Sequence, residues 1–493
     1  MSSSSVTHST MHPLIVDLDG TLIQTDLLLE SANQFVLAQP WQTYKLLVWL
    51  VQGKTALKTN LAHATRLDAA ALPYNTELIT WLQQEKAKGR RLILATASHQ
   101  LLADQVAAHL DLFDEVLATD AHTNLKSGAK CAALVAKFGD KGFDYIGNDR
   151  ADLPVWQCAR QAHVLSRSER LIDAARKQGN LGQLLTDGKP ALAQALLKAM
   201  RPHQWMKNLL VLIPLLASHS YGAAASVWAA CLAFVAFGLT ASSVYLLNDL
   251  VDVTNDRHHA RKRLRPLAAG HLSLLHGWLA WPLLLIAAFG LASMALPWPF
   301  TVSLGAYFVL TVAYSLRLKQ IPMVDVLTLA ALYTLRIIAG AAAIAVPLTF
   351  WLLSFSMFLF LSLAFIKRYS ELAAARSNGQ STTLRGRGYT PQDLELVANL
   401  GGSAGYTGVL VLALYIQDEH TASLYATPQI IWLACPLLLF WISRAWLIAH
   451  RGQMHDDPIV FALKDRVSWA VAALFAAVFV LAKVATLGTG AAA

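Results

Sequence analysis

Five stretches of this 493-residue chain, 208–248, 266–316, 337–366, 396–417 and 420–443, contain no Asp, Glu, Lys or Arg. About 20 consecutive apolar residues suffice for one α-helix to cross a bilayer, so each run predicts a span and the two longest predict two spans with a turn. A wholly soluble chain is excluded on composition as well: 55% of the residues are hydrophobic, above the roughly 45–50% usual for soluble domains. Nine helices are predicted, near 207–223, 226–248, 274–292, 298–316, 323–343, 348–366, 398–416, 429–447 and 467–488. The loops after the second, fourth, sixth and eighth hold the Lys and Arg, whereas intervening loops such as SHSYGAAAS and ALPWP hold none. By the positive-inside rule the charged loops face the cytosol from an inner membrane, and the C-terminus lies outside.

The first 200 residues follow a different pattern. Short apolar runs (LIVDLDG, RRLILATAS, FDEVLATD, FDYIGND) alternate with helical stretches such as 77–88 and 100–110, which predicts an α/β domain over 12–183 with a parallel sheet. A mostly helical insertion at about 27–75 is expected to cap the sheet's active edge. Residues 184–200 form a helical connector to a transmembrane domain over 201–490. The N-terminus has neither a basic region nor an apolar core of a signal peptide, so the first domain is expected in the cytosol. Cys131, Cys158, Cys231 and Cys435 show no metal-ligand spacing and are expected to be reduced. The net charge of +9 lies almost wholly in 201–493. Basic groups embedded in apolar sequence point to lipid headgroups or phosphorylated substrates rather than to nucleic acid.

VDLDGTLIQTD places Asp17 and Asp19 at the end of the first strand. Two carboxylates one residue apart let one attack phosphorus while the other shuttles a proton, with magnesium between them and the phosphate. Aspartates merely capping a turn would explain this motif alone. They do not explain Thr96 after a second strand, Lys126, and YIGNDRADLP with Asn148, Asp149 and Asp152 after another. A hydroxyl, a lysine and a second acidic site are what binding a transferring phosphoryl group requires. Over roughly 12–170 these residues resemble the haloacid-dehalogenase-like phosphatases with a helical cap. The resemblance implies Asp17 as nucleophile, Asp19 as general acid/base, and Thr96 and Lys126 as phosphate holders, with Lys130 the rival lysine. Where that family has Gly-Asp this chain has Gly147-Asn148, so the metal would take the Asn148 amide oxygen or Asp149.

At the end of the second span stands NDLVDVTNDRHHARKRLRP. Asn248, Asp252 and Asp256 are spaced i, i+4, i+8, and Asp249 lies three before Asp252, so one helical face offers four oxygen-bearing side chains. Magnesium binds few carboxylates together with substrate phosphates, which fits a diphosphate. Arg257, Lys262, Arg263 and Arg265 follow, able to grip phosphate oxygens. A positive-inside loop would explain these arginines but not acids at helical spacing. Tyr314, Lys319 and Asp325 lie in the next charged loop, and Arg336, about three turns into the fifth helix, is expected to meet an anion. Lys207 and Lys367 sit at the interface, where snorkelling to lipid is an equal reading.

Over about 200–490 the nine-helix count and NDLVDVTND resemble the UbiA-type intramembrane prenyltransferases. RPHQWMKNLLVL, YSLRLKQIPMVDVL and LRIIAGA resemble the polyprenyl-phosphate phosphoribosyltransferase branch, the decaprenyl-phosphate type of arabinan biosynthesis. That resemblance implies a magnesium-dependent transfer of 5-phosphoribose from phosphoribosyl diphosphate to a polyprenyl phosphate, with Asn248, Asp249, Asp252, Asp256 and Asp325 as metal and diphosphate ligands. The first domain would then remove the 5-phosphate of the product. Aromatic prenyl transfer, a membrane-anchored phosphatase and transport are the alternatives. A homo-oligomer is compatible with this pattern.

Overall fold

The computed structural model describes residues 11–120, 124–377, 379, 387–417, 425–454 and 457–485. They fall into two compact units, one drawn from Met1–Met200 and Tyr245–Ala280, the other from Arg201–Val244 and Trp281–Ala493. In the first, six parallel strands, β1 (Leu14–Val16), β2 (Leu92–His99), β3 (Glu115–Thr119), β4 (Asp144–Gly147), β5 (Ala162–Leu165) and β6 (Leu181–Leu185), pair in the order β3-β2-β1-β4-β5-β6. The four apolar runs become β1 to β4, and β1 is wholly buried, as a parallel sheet covered on both faces demands. From β1 the order grows one way through β2 and the other through β4. That reversal leaves a crevice at the C-terminal ends of the central strands.

Nine helices belong to this part of the chain: α1 (Leu27–Ala38), α2 (Tyr44–Val51), α3 (Lys54–Ala64), α4 (Thr76–Ala87), α5 (Gln100–Leu110), α6 (Gly128–Phe138), α7 (Leu153–Cys158), α8 (Glu169–Arg176) and α9 (Leu192–Met200). The first three form the expected cap. Strand β6 takes the first residues of the expected connector, whose helix starts only at Leu192. Cys131 in α6 and Cys158 at the end of α7 form a disulfide, a correction to the expectation of reduced thiols. Their sequence separation of 27 carries no local signal, and packing brings the two Cα atoms to 6.5 Å.

The apolar half contains α10 (Ile213–Ala217), α11 (Ala224–Val251), α12 (Val253–Arg257), α13 (Leu274–Ala295), α14 (Trp298–Leu316), α15 (Val324–Ala343), α16 (Phe350–Ser377), α17 (Leu394–Gln417), α18 (Ala434–His450), α19 (Pro458–Lys464) and α20 (Arg466–Val484). Among the described residues eight helices are long and apolar enough to cross a bilayer, which makes this a multi-pass integral membrane protein. The ninth expected span, near 207–223, is instead a 3-10 helix over Pro202–Leu212 followed by the short α10. Pro202 and Pro214 each lack the backbone N–H that a continuous α-helix would need, and each stands at the start of one of these short helices.

The last residues of α11, all of α12 and the start of α13 belong to the first unit, where they are joined to α1. Asn33 Nδ2 donates to the Leu250 carbonyl at 3.2 Å, and Trp278 Nε1 donates to Asn33 Oδ1 at 2.9 Å. Arg257 places its two terminal nitrogens 2.7 and 3.0 Å from the Glu30 carboxylate, both side chains being buried, and its Nε donates to the Ala268 carbonyl. Glu30 also accepts from Thr25 Oγ1 at 2.7 Å. Arg257, expected to grip phosphate, is thus a strut within this unit. Breaking a buried pair by removing one partner strands the other charge, at on the order of 3–5 kcal/mol. Glu30→Ala should therefore lower the denaturation midpoint of the detergent-solubilised chain in pulse proteolysis, and Glu30→Leu with Arg257→Met should recover most of the loss.

Candidate active sites

The crevice at the ends of β1, β2 and β4 holds a cleft of about 370 Å³ lined by Asp17, Asp19, Ser98, Lys130, Asn148 and Asp149 among others. Each arrives by simple means. Asp17 directly follows β1, and Gly20 turns the chain with φ +78°, where a Cβ would fall 2.4 Å from the Asn148 amide. Thr96 and Ser98 are two apart on β2 and therefore share a face. Gly147 ends β4, and a Cβ there would meet the Asp152 carboxylate at 2.5 Å.

Lys130 Nζ donates to Asp17 Oδ1 at 2.6 Å and to the Tyr145 hydroxyl at 2.9 Å, and Tyr145 donates to Asp152 Oδ1 at 2.8 Å. The lysine on Asp17 is therefore Lys130 and not Lys126, which lines the cleft from an exposed position. Ser127 takes a left-handed φ of 51° and α6 starts after it. Lys126 thus precedes the helix, while Lys130 is carried inward on its first turn. Asp19 Oδ2 accepts from Ser98 Oγ at 2.6 Å and Thr96 Oγ1 at 3.2 Å, and its Oδ1 accepts from the Leu27 amide. Thr96 is fully buried and Ser98, itself buried, lines the cleft, so the serine missed in the sequence is the hydroxyl of the pair that borders it. Asp152 Oδ2 accepts from the Asn148 and Asp149 amides at 3.0 Å each. These bonds hold the loop after β4 in shape.

Burial raises Asp19 to about 6, with Asp26 adding to the effect and the Leu27, Ser98 and Thr96 bonds opposing it. Asp152 is likewise pushed up to about 6, by burial and then by Asp17. Burial also raises Asp17 against the pull of Lys130. For Lys130 burial disfavours the ammonium, yet the Asp17 and Asp152 carboxylates together raise it. Carboxylates and an amide oxygen around one cleft are the hard donors magnesium takes. Among the described residues no three His, Cys, Asp or Glu side chains are grouped so as to hold a metal ion by themselves.

The second acidic cluster keeps its helical spacing. Although α11 ends at Val251, the Asp252 amide donates to the Asn248 carbonyl at 2.9 Å and the Asp256 amide to the Asp252 carbonyl at 2.8 Å. Asp249 and Asp256, two turns apart and both buried, share Arg265, whose Nη1 lies 3.1 Å from one and 2.5 Å from the other. Arg265, expected on phosphate, thus neutralises the acids instead, because two buried carboxylates on one face need a cation. Lys262 Nζ is 3.9 Å from Asp256 and Arg263 is exposed. Among the described residues Asp252 takes no side-chain hydrogen bond or ion pair, so half-buried Asp252 beside Asn248 is the oxygen best placed for a metal.

In the second unit three polar clusters stand inside the bundle. Asp325, expected as a metal ligand, is fully buried, 2.5 Å from Arg368 and accepting from the Tyr389 hydroxyl at 2.7 Å. That pairing occupies the carboxylate and corrects the expectation. Arg387 donates to the Tyr314 hydroxyl at 2.8 Å. Among the described residues Arg336 meets no carboxylate: it donates to Asn208 Oδ1, the Leu332 carbonyl and the Tyr307 hydroxyl at 2.6 to 3.0 Å. Lys207 and Lys367 both donate to Asp457 Oδ2, at 2.9 and 3.0 Å, rather than reaching for lipid. Lys319 is half-buried outside these clusters. Asp457 and Tyr389 carried no local motif that could have found them.

Residues 210–464 match the profile of the UbiA prenyltransferase family, and 14–157 that of haloacid dehalogenase-like hydrolases. The protein y4nM of Sinorhizobium fredii is 36% identical over 471 residues, 95% of this chain and 91% of that one. Decaprenyl-phosphate phosphoribosyltransferase of Mycobacterium tuberculosis is 32% identical over 62% of this chain and 97% of its own. A UbiA homologue from Archaeoglobus fulgidus, solved with GPP and Mg2+, is 18% identical over 58% of this chain and 99% of that one, with a TM-score of 0.44.

Two outcomes follow from the first cleft. Lys130→Ala should cut hydrolysis of p-nitrophenyl phosphate by the full chain on the order of 10²-fold, the loss typical of one removed charge-stabilising donor, whereas Lys126→Ala should retain most of it. Asp19 carries a folded-state value of about 6 against 3.8 ordinarily, so its ionisation opposes folding. The associated stability is present below 3.8 and lost as pH rises through about 6. Asp19→Asn should accordingly unfold at a higher denaturant concentration than wild type at neutral pH, with the difference vanishing in acid.

Proposed function

Because the chain belongs to the UbiA prenyltransferase family, we propose that its membrane half transfers 5-phosphoribose from phosphoribosyl diphosphate to a polyprenyl phosphate. The observation that carries this is the similarity of that half to decaprenyl-phosphate phosphoribosyltransferase along almost the whole length of the mycobacterial protein. The helical face of Asn248, Asp249, Asp252 and Asp256, followed by Lys262 and Arg263, agrees with it. A polyanionic donor needs cations at its phosphates and acids that hold a metal against them.

In the transfer, the C1–O bond to diphosphate breaks with its electron pair leaving on the diphosphate, while a phosphate oxygen of the lipid forms the new bond at C1. Charge grows on the leaving group, and a positive charge develops between C1 and the ring oxygen. Asp252 and Asn248, with Asp249 and Asp256 held by Arg265, would bind magnesium, which would supply positive charge to the departing diphosphate. Lys262 and Arg263 neutralise phosphate oxygens that the metal leaves free. The acceptor arrives as a phosphate monoester already ionised at neutral pH, so the step needs no general base.

The first unit would remove the 5-phosphate. Asp17 attacks phosphorus, Asp19 protonates the departing sugar oxygen, and water activated by Asp19 then releases phosphate from the aspartyl ester. A carboxyl near 6 serves both directions at neutral pH. Lys130 balances the charge on Asp17, and Ser98 and Asn148 offer hydrogen bonds to the phosphoryl group. Magnesium beside Asp17 and Asn148 or Asp149 would neutralise phosphate charge.

With radiolabelled phosphoribosyl diphosphate and decaprenyl phosphate in nanodiscs, Asp252→Asn and Asp256→Asn should abolish lipid-linked label while both variants stay folded. Asp17→Asn should keep the transfer rate and accumulate the 5-phosphorylated lipid. Near-wild-type transfer by the first two would overturn the transferase assignment, and retention of the 5-phosphate by wild type would overturn the phosphatase step alone.

A further inference from the structure

Helix α2 is an anomaly for a helix in an α/β unit, since none of its residues is buried. Trp41 just before it is 93% exposed, and Tyr44, Leu47, Val48 and Val51 are exposed along it, with Val51 at 89%. Positions 41, 44, 48 and 51 recur at helical spacing and so form one outward stripe. The opposite side is held down by Trp49, whose ring lies 5.2 Å from that of Phe35 in α1. From Ser31 to Leu67 there is no Asp or Glu, while Lys45, Lys54, Lys58 and Arg66 are present.

We infer that α2 is an interfacial helix that lies on the bilayer surface of the membrane this protein spans, with its Trp41–Val51 stripe among the acyl boundary and Lys45 on anionic headgroups. Three observations select a lipid surface over a protein partner. The stripe combines Trp and Tyr with aliphatic residues beside cations, the composition of helices that lie in the interface plane. The surrounding 37-residue stretch (31–67) lacks any acid, which suits negatively charged lipid. Most directly, the neighbouring α1 is bonded through Asn33 to Leu250, one residue from the end of spanning helix α11, and to Trp278 in the first turns of spanning helix α13. The cap is therefore seated at the level where two spans leave the bilayer, and α2 follows α1 after five residues.

The placement has a consequence for substrate class. Leu50 of α2 and Lys54 and Leu57 of α3 line the same cleft as Asp17 and Asp19. An α2 lying on the membrane sets the mouth of that cleft at headgroup height, where a phosphomonoester carried on a lipid can enter while its chain stays in the bilayer. The docking itself does not rest on the phosphatase step, because it is measured without turnover.

The test uses the full chain with Cys231→Ser and Cys435→Ser, a nitroxide on Leu47→Cys or Val51→Cys, and reconstitution in phosphatidylcholine/phosphatidylglycerol vesicles. A label on exposed Asp140→Cys serves as the aqueous reference. Both α2 labels should relax faster with oxygen than with a water-soluble nickel chelate, the reverse of the label at 140, and Trp41→Ser with Tyr44→Ser should abolish that oxygen preference. Nickel accessibility at 47 and 51 equal to that at 140 would overturn the inference. Dipolar broadening that disappears on dilution with unlabelled chain would overturn it too, by showing a second copy on the stripe.

Discussion

The guanidinium of Arg368 has no exposure to solvent, and the Asp325 carboxylate lies 2.5 Å away with Glu371 on its other side. Removing a charge from water costs several kcal/mol unless a partner and further hydrogen bonds replace the lost hydration. That requirement recurs wherever the chain buries a charge. Lys207 and Lys367 share Asp457, Arg265 spans Asp249 and Asp256, Arg257 sits on Glu30, and Lys130 sits on Asp17. Residues far apart in sequence are brought together by neutralisation, and the loops between spans are fixed by it.

The two acidic sites meet the same requirement differently. In the α/β unit the sheet order reverses at β1, so Asp17, Asp19 and the loop after β4 face one cleft, and Tyr145 and Asp152 form a second layer that holds Lys130 and the Asn148–Asp149 amides. At the end of α11 the acids stand on a single helical face, and one arginine from the following loop serves two of them. A rigid helix with a neutralising cation fixes the carboxylates in place. The strut from Glu30 to Arg257 joins the cap to the short helix that carries Asp256. Both acidic clusters thus share one folded support.

Much of this was legible in the residue order. Long runs without charge mark the spans because the bilayer excludes unpaired charge, and alternating apolar runs and helical stretches mark a parallel sheet because both its faces are covered. Asp17, Asp19 and the acids of 248–256 were found because their spacing is the spacing of a strand end or a helical face. The errors share a cause. Lys126 stood at a familiar distance from the acidic motif, but the left-handed turn at Ser127 hands the position on Asp17 to Lys130. Arg257, Arg265, Lys207 and Lys367 were assigned to phosphate or lipid because a sequence shows a charge without its partner. The first span was drawn over 207–223, through Pro214, where hydropathy is satisfied and continuous helical hydrogen bonding is not.

Sequence by itself determined the solvent of each half, the positions along the chain of the sheet's first four strands and the two acidic clusters. These are consequences of local periodicity and of transfer free energy, which need no knowledge of neighbours. Tertiary structure alone decided which cation meets which anion, that Ser98 and not Thr96 faces the cleft, that Cys131 meets Cys158, and that Asp325 is spent on Arg368 and Tyr389. Pairing of that kind is settled by distances of a few ångströms between residues far apart in the chain, and Coulomb and hydrogen-bond energies at such distances depend on packing rather than on order along the sequence.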